Sequence, residues 1–165
     1  METKTELLPN TKMNEIVVSY KRPVLTSMPK ISCSNDAVKI IRQMYDEVGY
    51  DYQEYFFAIY LNNASRVLGY REISKGHQTG TLVHVSQVLA IAIQVSAKAI
   101  ILVHNHPSGT LKPSHSDKDL VRRVEEVSEI LNLKIFDKII VTSESSFSFA
   151  DEGLMNHATK DEIPF

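Results

Sequence analysis

A single cysteine, Cys33, stands among 165 residues. A lone thiol excludes an internal disulfide and every zinc motif built on cysteine pairs, so any metal must be held by histidines and carboxylates. Long apolar runs are missing as well. The strongest, Ala97 to Val103, is interrupted by Lys98 and is far shorter than the about 20 residues a bilayer span needs. The opening residues, Met1 to Asn10, mix charged and polar groups and offer no apolar stretch of the kind a secretion signal carries. These absences predict a reducing, cytoplasmic setting with no membrane contact. Nor is there a surplus of charge of one sign: 18 Lys and Arg face 20 Asp and Glu, a net −2. Arg122-Arg123 is followed at once by Glu125-Glu126, so that face is mixed rather than basic, and nucleic acid is not an expected partner.

What is present suits one compact α/β domain, with 43% hydrophobic and 23% charged residues. No repeat or low-complexity run appears. Pro9, Pro23 and Pro29 mark residues 1–31 as a tail with one short strand over Glu15 to Tyr20, followed by a domain over 32–155 and a polar tail over 156–165. Ser34-Asn35-Asp36 opens a helix whose face carries Ala37, Ile40, Ile41, Met44 and Val48. Glu54 to Leu61 reads as a strand, Asn62-Asn63 as a turn, and Val67 to Ile73 as the returning strand. Ser86 to Ser96 is apolar nearly all round and predicts a largely buried helix. A short apolar strand, Ala99 to Val103, runs into His104-Asn105-His106-Pro107-Ser108-Gly109. A helix from Ser114 to Leu131 follows, then strands over Ile135 to Thr142 and Ser146 to Phe149. This order predicts a mixed sheet flanked by helices.

Chemistry concentrates between residues 104 and 117. Two histidines one residue apart at a strand end share a face, because side chains alternate along a strand, so His104 and His106 can converge while Asn105 turns away. Pro107 and Gly109 take the chain out of the strand, and the first turn of the next helix brings Asp117 back towards the loop. Two imidazoles and a carboxylate suit zinc (Zn2+), and three protein ligands leave a fourth position for water, the mark of a catalytic site. Each half alone has a plainer reading. His-x-His also occurs as a half-exposed pair, and Ser114-x-x-Asp117 also reads as a helix cap. The capping and ligand roles can coexist.

His104-x-His106, seven residues, Ser114, two residues and Asp117 together resemble the JAMM motif of the JAB/MPN metalloprotease fold. The fuller string His104 to Gly109, then Pro113-Ser114 and Asp117, and the ending Phe147-Ser148-Phe149-Ala150-Asp151-Glu152-Gly153 are similar to its RadC branch, over roughly Ser32 to Leu154. The resemblance implies a three-layer, cytidine-deaminase-like architecture and a zinc-dependent hydrolase that cleaves a peptide or isopeptide bond. It also implies a glutamate on an earlier strand as general acid/base. Glu54 matches that position, with Glu72 a rival carboxylate. Ser114 would donate a hydrogen bond to the oxyanion. RadC proteins commonly carry a helix-hairpin-helix module ahead of this domain. The stretch before Ser34 is too short for one and lacks its Gly-rich hairpin, so a standalone domain is expected. Two other functions stay open: a zinc-containing binding module without turnover, and the DNA-repair role attached to the RadC name.

Other residues carry ordinary expectations. His84 reads as a cap or surface residue, His77 as a loop residue able to line a cleft, and His115 has no counterpart in the motif. Tyr50, Tyr52, Tyr55, Phe56 and Phe57 read as core packing, since a stacking platform for single strands needs interleaved Lys and Arg. Lys112 and Lys118 flank the motif, either as solvated charges or as attractants for an acidic group on a protein substrate.

Overall fold

The computed structural model describes residues 16–76 and 83–155. His77 and the 156–165 tail lie outside them. The helices are α1 (Ser34–Val48), α2 (Val85–Gln94) and α3 (His115–Ile130), and the strands β1 (Glu54–Leu61), β2 (Val67–Gly76), β3 (Ala99–Asn105), β4 (Lys134–Val141) and β5 (Ser146–Ser148). They form one mixed sheet in the order β2-β1-β3-β4-β5. β3 and β4 are parallel, joined through α3, while the other neighbours are antiparallel.

Side-chain alternation divides the core into two layers. Phe56, Ala58 and Tyr60 of β1 and Ile100 and Leu102 of β3 pack with Val88, Leu89 and Ala92 of α2 and Val124 of α3. Phe57, Ile59, Leu61, Ile101 and Val103 face the other way, onto Ala37, Ile41, Met44 and Tyr45 of α1. The result is a three-layer α/β sandwich with α1 on one face and α2 and α3 on the other. The aromatic cluster packs as expected, with Tyr45 stacked on Tyr50 and edge-on to Phe57. Tyr52 is the exception, 84% exposed.

Four sequence-based expectations need correction. Residues 16–20 form no strand, and Ile16 and Val17 are exposed. The core begins before residue 32, inside the expected tail: Met28 and Ile31 are buried, and Lys30 bridges to Arg66 beside the start of β2. α2 is not buried all round, because an outer-layer helix covers the sheet with one face only. Ile93 is 58% exposed on the other. β3 runs two residues past Val103, because ladder pairing with β4 continues through His104 and Asn105.

The sheet also buries a carboxylate. Asp137 on β4 accepts from the Ser148 hydroxyl at 2.6 Å and from the Ala150 amide at 2.9 Å, which ties β4 to the chain after β5. Burial pushes its pKa up to about 7, against the opposing pull of those two donors. A carboxyl raised in the folded state gives stability that is complete below its unfolded pKa and is lost as the pH rises towards the folded one. The stability of the wild type relative to Asp137→Asn should therefore fall between pH 5 and pH 7, with a slope of at most about 1.4 kcal/mol per pH unit. Urea titrations at several pH values measure this. A difference that does not change with pH contradicts the buried, proton-retaining state.

Candidate metal site

β3 is buried along its whole length and delivers His104 at its carboxyl end. The next residues leave the strand while staying in register, since the His106 amide donates to the Val141 carbonyl at 3.1 Å. A turn closed by the Gly109 amide on the His106 carbonyl then redirects the chain. Gly109 sits at φ +76°, a left-handed backbone that residues with a Cβ rarely adopt.

The N-terminus of α3 returns a carboxylate to this strand end. Ser114 is the N-cap and Asp117 the N3 residue of a capping box. The Ser114 hydroxyl oxygen accepts from the Asp117 amide at 3.1 Å. Asp117 Oδ2 accepts from the Ser114 amide at 2.8 Å and from its hydroxyl at 2.5 Å. Local helix chemistry thus fixes the Asp117 carboxylate, whose Oδ1 lies 3.0 Å from His104 Nε2 and whose Oδ2 lies 3.7 Å from His106 Nε2.

The histidine nitrogens converge. His104 Nε2 and His106 Nε2 are 2.8 Å apart, and one donor atom from each of His104, His106 and Asp117 falls within 4.8 Å of the others. His106 Nδ1 is 2.7 Å from the Thr110 carbonyl. A carbonyl only accepts, so Nδ1 bears a hydrogen and donates it, and Nε2 is the nitrogen turned towards the other two groups. Burial, aided by Lys138, lowers the His104 pKa to about 4, leaving that ring neutral at physiological pH. Its Nδ1 is buried with no hydrogen-bond partner. Ring nitrogens and a carboxylate crowded around one point repel unless a proton or a cation lies between them. This donor set fits a divalent metal ion.

Asp117 also pairs with a buried cation. Lys138, wholly buried at the middle of β4, places Nζ 2.6 Å from Asp117 Oδ1 and over the Phe56 and Phe149 rings, at 5.9 and 5.4 Å. Burial would raise the Asp117 pKa, but the hydrogen bonds from His104 and Lys138 and the charge of Lys138 outweigh it and hold the carboxyl well below its ordinary range.

The two candidate glutamates part company. Phe56 pairs with His104 across β1 and β3. Continuing that register by two residues sets Glu54 opposite His106 on the same face. Glu54 is half-buried, and its pKa is raised by burial, with His106, Asp117 and Lys138 among the charges it feels. Glu72 pairs with Phe57, which points to the α1 face, and it is exposed. His84 is the exposed N-cap of α2 and His115 the exposed first residue of α3. Lys112 and Lys118 are exposed.

Two residues escaped the sequence reading. Lys138 left a signal, a lysine next to Asp137 inside the largely apolar stretch Ile135 to Thr142. Asn105 is buried and bonded to the start of β1 and the segment before it; nothing in its sequence position beyond the turn away from the histidines marks it.

Removing one partner of a buried ion pair leaves the other uncompensated. Lys138→Met should therefore destabilise the metal-free protein by about 3 kcal/mol in urea unfolding. A divalent ion at the histidines supplies the missing positive charge, so the deficit should shrink when the ion is added. An equal deficit with and without metal contradicts the sharing of Asp117 between the two cations.

The chain resembles known proteins over most of its length. The RadC-like JAB domain family matches residues 31–154. A UPF0758 protein of Flavobacterium johnsoniae is 37% identical over 130 residues, covering 79% of this chain and 56% of that protein. A UPF0758 protein of Geotalea uraniireducens is 42% identical over 103 residues, 62% of this chain and 45% of the other. One from Chlorobaculum parvum is 33% identical over 119 residues, 72% and 54%. The chain spans about half the length of these curated relatives. With the layered sheet, the capped Asp117 and the paired histidines in place, the chain belongs to the RadC-like JAB domain family.

Proposed function

We propose that this chain is a zinc-dependent metallohydrolase of the JAMM type, cleaving an amide bond in a protein or peptide. The observation that carries the reading is the meeting of His104, His106 and Asp117 at one strand end, with Glu54 across the sheet on the same face. His104, His106 and Asp117 would hold the zinc. Bound there, zinc supplies Lewis acidity, acidifying water and polarising an amide carbonyl.

The protein's own groups provide the rest. Glu54 serves as general base and then general acid. Partial burial raises its pKa, which brings a carboxylate nearer to the operating pH at which proton transfer in both directions is efficient. Ser114 donates to the oxygen that becomes negative as the carbonyl is attacked. Its hydroxyl now donates to Asp117 Oδ2, so it has to exchange that bond for the substrate oxygen. The buried walls around His104 keep bulk water from screening these charges. Lys112 and Lys118, both exposed, would attract an acidic or C-terminal carboxylate on the substrate. The balanced net charge of −2 gives little counterion release, so duplex DNA is not the substrate this reading favours. Among the described residues no helix is long and apolar enough to cross a membrane.

The test is Glu54→Gln in zinc-loaded protein, assayed on a panel of peptide and isopeptide substrates. It should retain about one zinc per chain and lose hydrolysis by roughly 10²-fold or more, the usual range for a positioned general base. Loss of activity in Glu72→Gln with Glu54→Gln unharmed contradicts the assignment of the base. Zinc-loaded wild type that cleaves nothing in the panel favours a binding module instead.

A further inference from the structure

Asn105 lies between the two histidines, yet its side chain points to the opposite side of the sheet and is fully buried. It makes three hydrogen bonds, all to backbone of one short segment. Its Oδ1 accepts from the Tyr55 amide at 2.7 Å, and its Nδ2 donates to the carbonyls of Tyr50 at 2.6 Å and Gln53 at 2.7 Å. Two carbonyl partners and one amide partner leave only this orientation of the side-chain amide, with both donors used. The bonds bracket Glu54, with Gln53 before it and Tyr55 after it.

The segment needs such a hold. β2 pairs with Glu54 and Tyr55 on one side, through Gly76 and Lys75, but pairing between β1 and β3 ends at Phe56 with His104, so on the β3 side the two residues have no ladder partner. Residues 50–53 are bends with no regular structure. Asn105 replaces the missing ladder bonds with side-chain ones. On the same side of the sheet, the Tyr45 hydroxyl of α1 donates to the Tyr55 carbonyl at 2.9 Å. Side chains therefore hold both the amide and the carbonyl of Tyr55. Because Asn105 is covalently flanked by His104 and His106, any movement of the metal-holding strand end is passed to the backbone that carries Glu54.

We propose that Asn105 is a positioning residue that fixes Glu54 relative to the histidine pair. This inference rests on the reading of Glu54 as the base. It assigns no chemistry to Asn105 itself, which faces away from the site. Its prediction is specific: without the amide, the metal ligands stay in place while the glutamate wanders.

The test begins with metal-free protein and Asn105→Ala. Backbone order parameters at Glu54 and Tyr55 should fall from the rigid range near about 0.85 to below about 0.6. Exchange of the Tyr55 amide hydrogen should speed up by about tenfold or more. Order and exchange like those of the wild type overturn the proposal. The second arm is a turnover cycle in zinc-loaded protein with Glu54→Gln. Asn105→Ala should reduce kcat in the wild-type background with zinc content unchanged, and should have little further effect once Glu54 is gone. An equal reduction in both backgrounds means that Asn105 acts on something other than Glu54, and overturns the proposal. If the wild type shows no turnover, the hydrolase reading fails while the order-parameter arm still decides whether Asn105 holds Glu54. Should Asn105→Ala not fold, Asn105→Asp keeps the volume and the acceptor for the Tyr55 amide but sets a carboxylate oxygen against two carbonyls. The same loss of order at Glu54 is then expected, and its absence overturns the proposal equally.

Discussion

One carboxylate holds three parts of this structure together. Asp117 closes the capping box of α3, neutralises Lys138 inside the sheet layer and faces two imidazole nitrogens. Each role alone is common, and the combination is restrictive. The capping bonds fix the side chain by local backbone geometry, so Asp117 cannot follow the lysine or the histidines if they move. They must come to it. This is why the β3 end, the α3 start and the middle of β4 are locked to one another, and why a single substitution here should be felt both in stability and in metal binding.

The topology explains why the meeting happens at this end of the sheet. β3 and β4 are parallel neighbours joined by α3, so the helix must start above the carboxyl end of β3. The crevice outside the carboxyl ends of parallel strands is where α/β sheets collect ligands. Helix N-termini add partial positive charge there, which favours an anionic Asp117. Strand alternation then sorts the residues. His104 and the Glu54 position share the α3 face, along with Lys138, whereas Asn105 goes to the α1 face. One strand end thus supplies candidate ligands on one side and scaffolding on the other.

The sequence made much of this legible, for physical reasons that differ from element to element. β1 was read to the residue because Tyr, Phe and Ile crowd it and Asn62-Asn63 ends it. The histidines and Asp117 stood out because their spacing combines two periodicities, the alternation of a strand and the first turn of a helix. The mixed sheet flanked by helices follows from the order of elements, and its three-layer form from the family resemblance. A lysine in an apolar strand is visible in the sequence, but the roles of Lys138 and Asn105 are not, because they depend on partners 21 and about 50 residues away. The burial of α2 was overestimated because composition reports how apolar a helix is but not how many layers cover it. Glu54 and Glu72 could not be told apart on chemistry, and pairing register is what puts them on opposite faces.

The central claim is that His104, His106 and Asp117 form one metal site. X-ray absorption at the zinc edge of the loaded protein tests it most directly. The account predicts one ion per chain, with scattering from two imidazole nitrogens at about 2.0–2.1 Å and carboxylate oxygen at about 2.0–2.2 Å. Occupancy should be lost in His104→Ala/His106→Ala. An ion with fewer than two imidazoles in its shell, or full occupancy in that double variant, contradicts it.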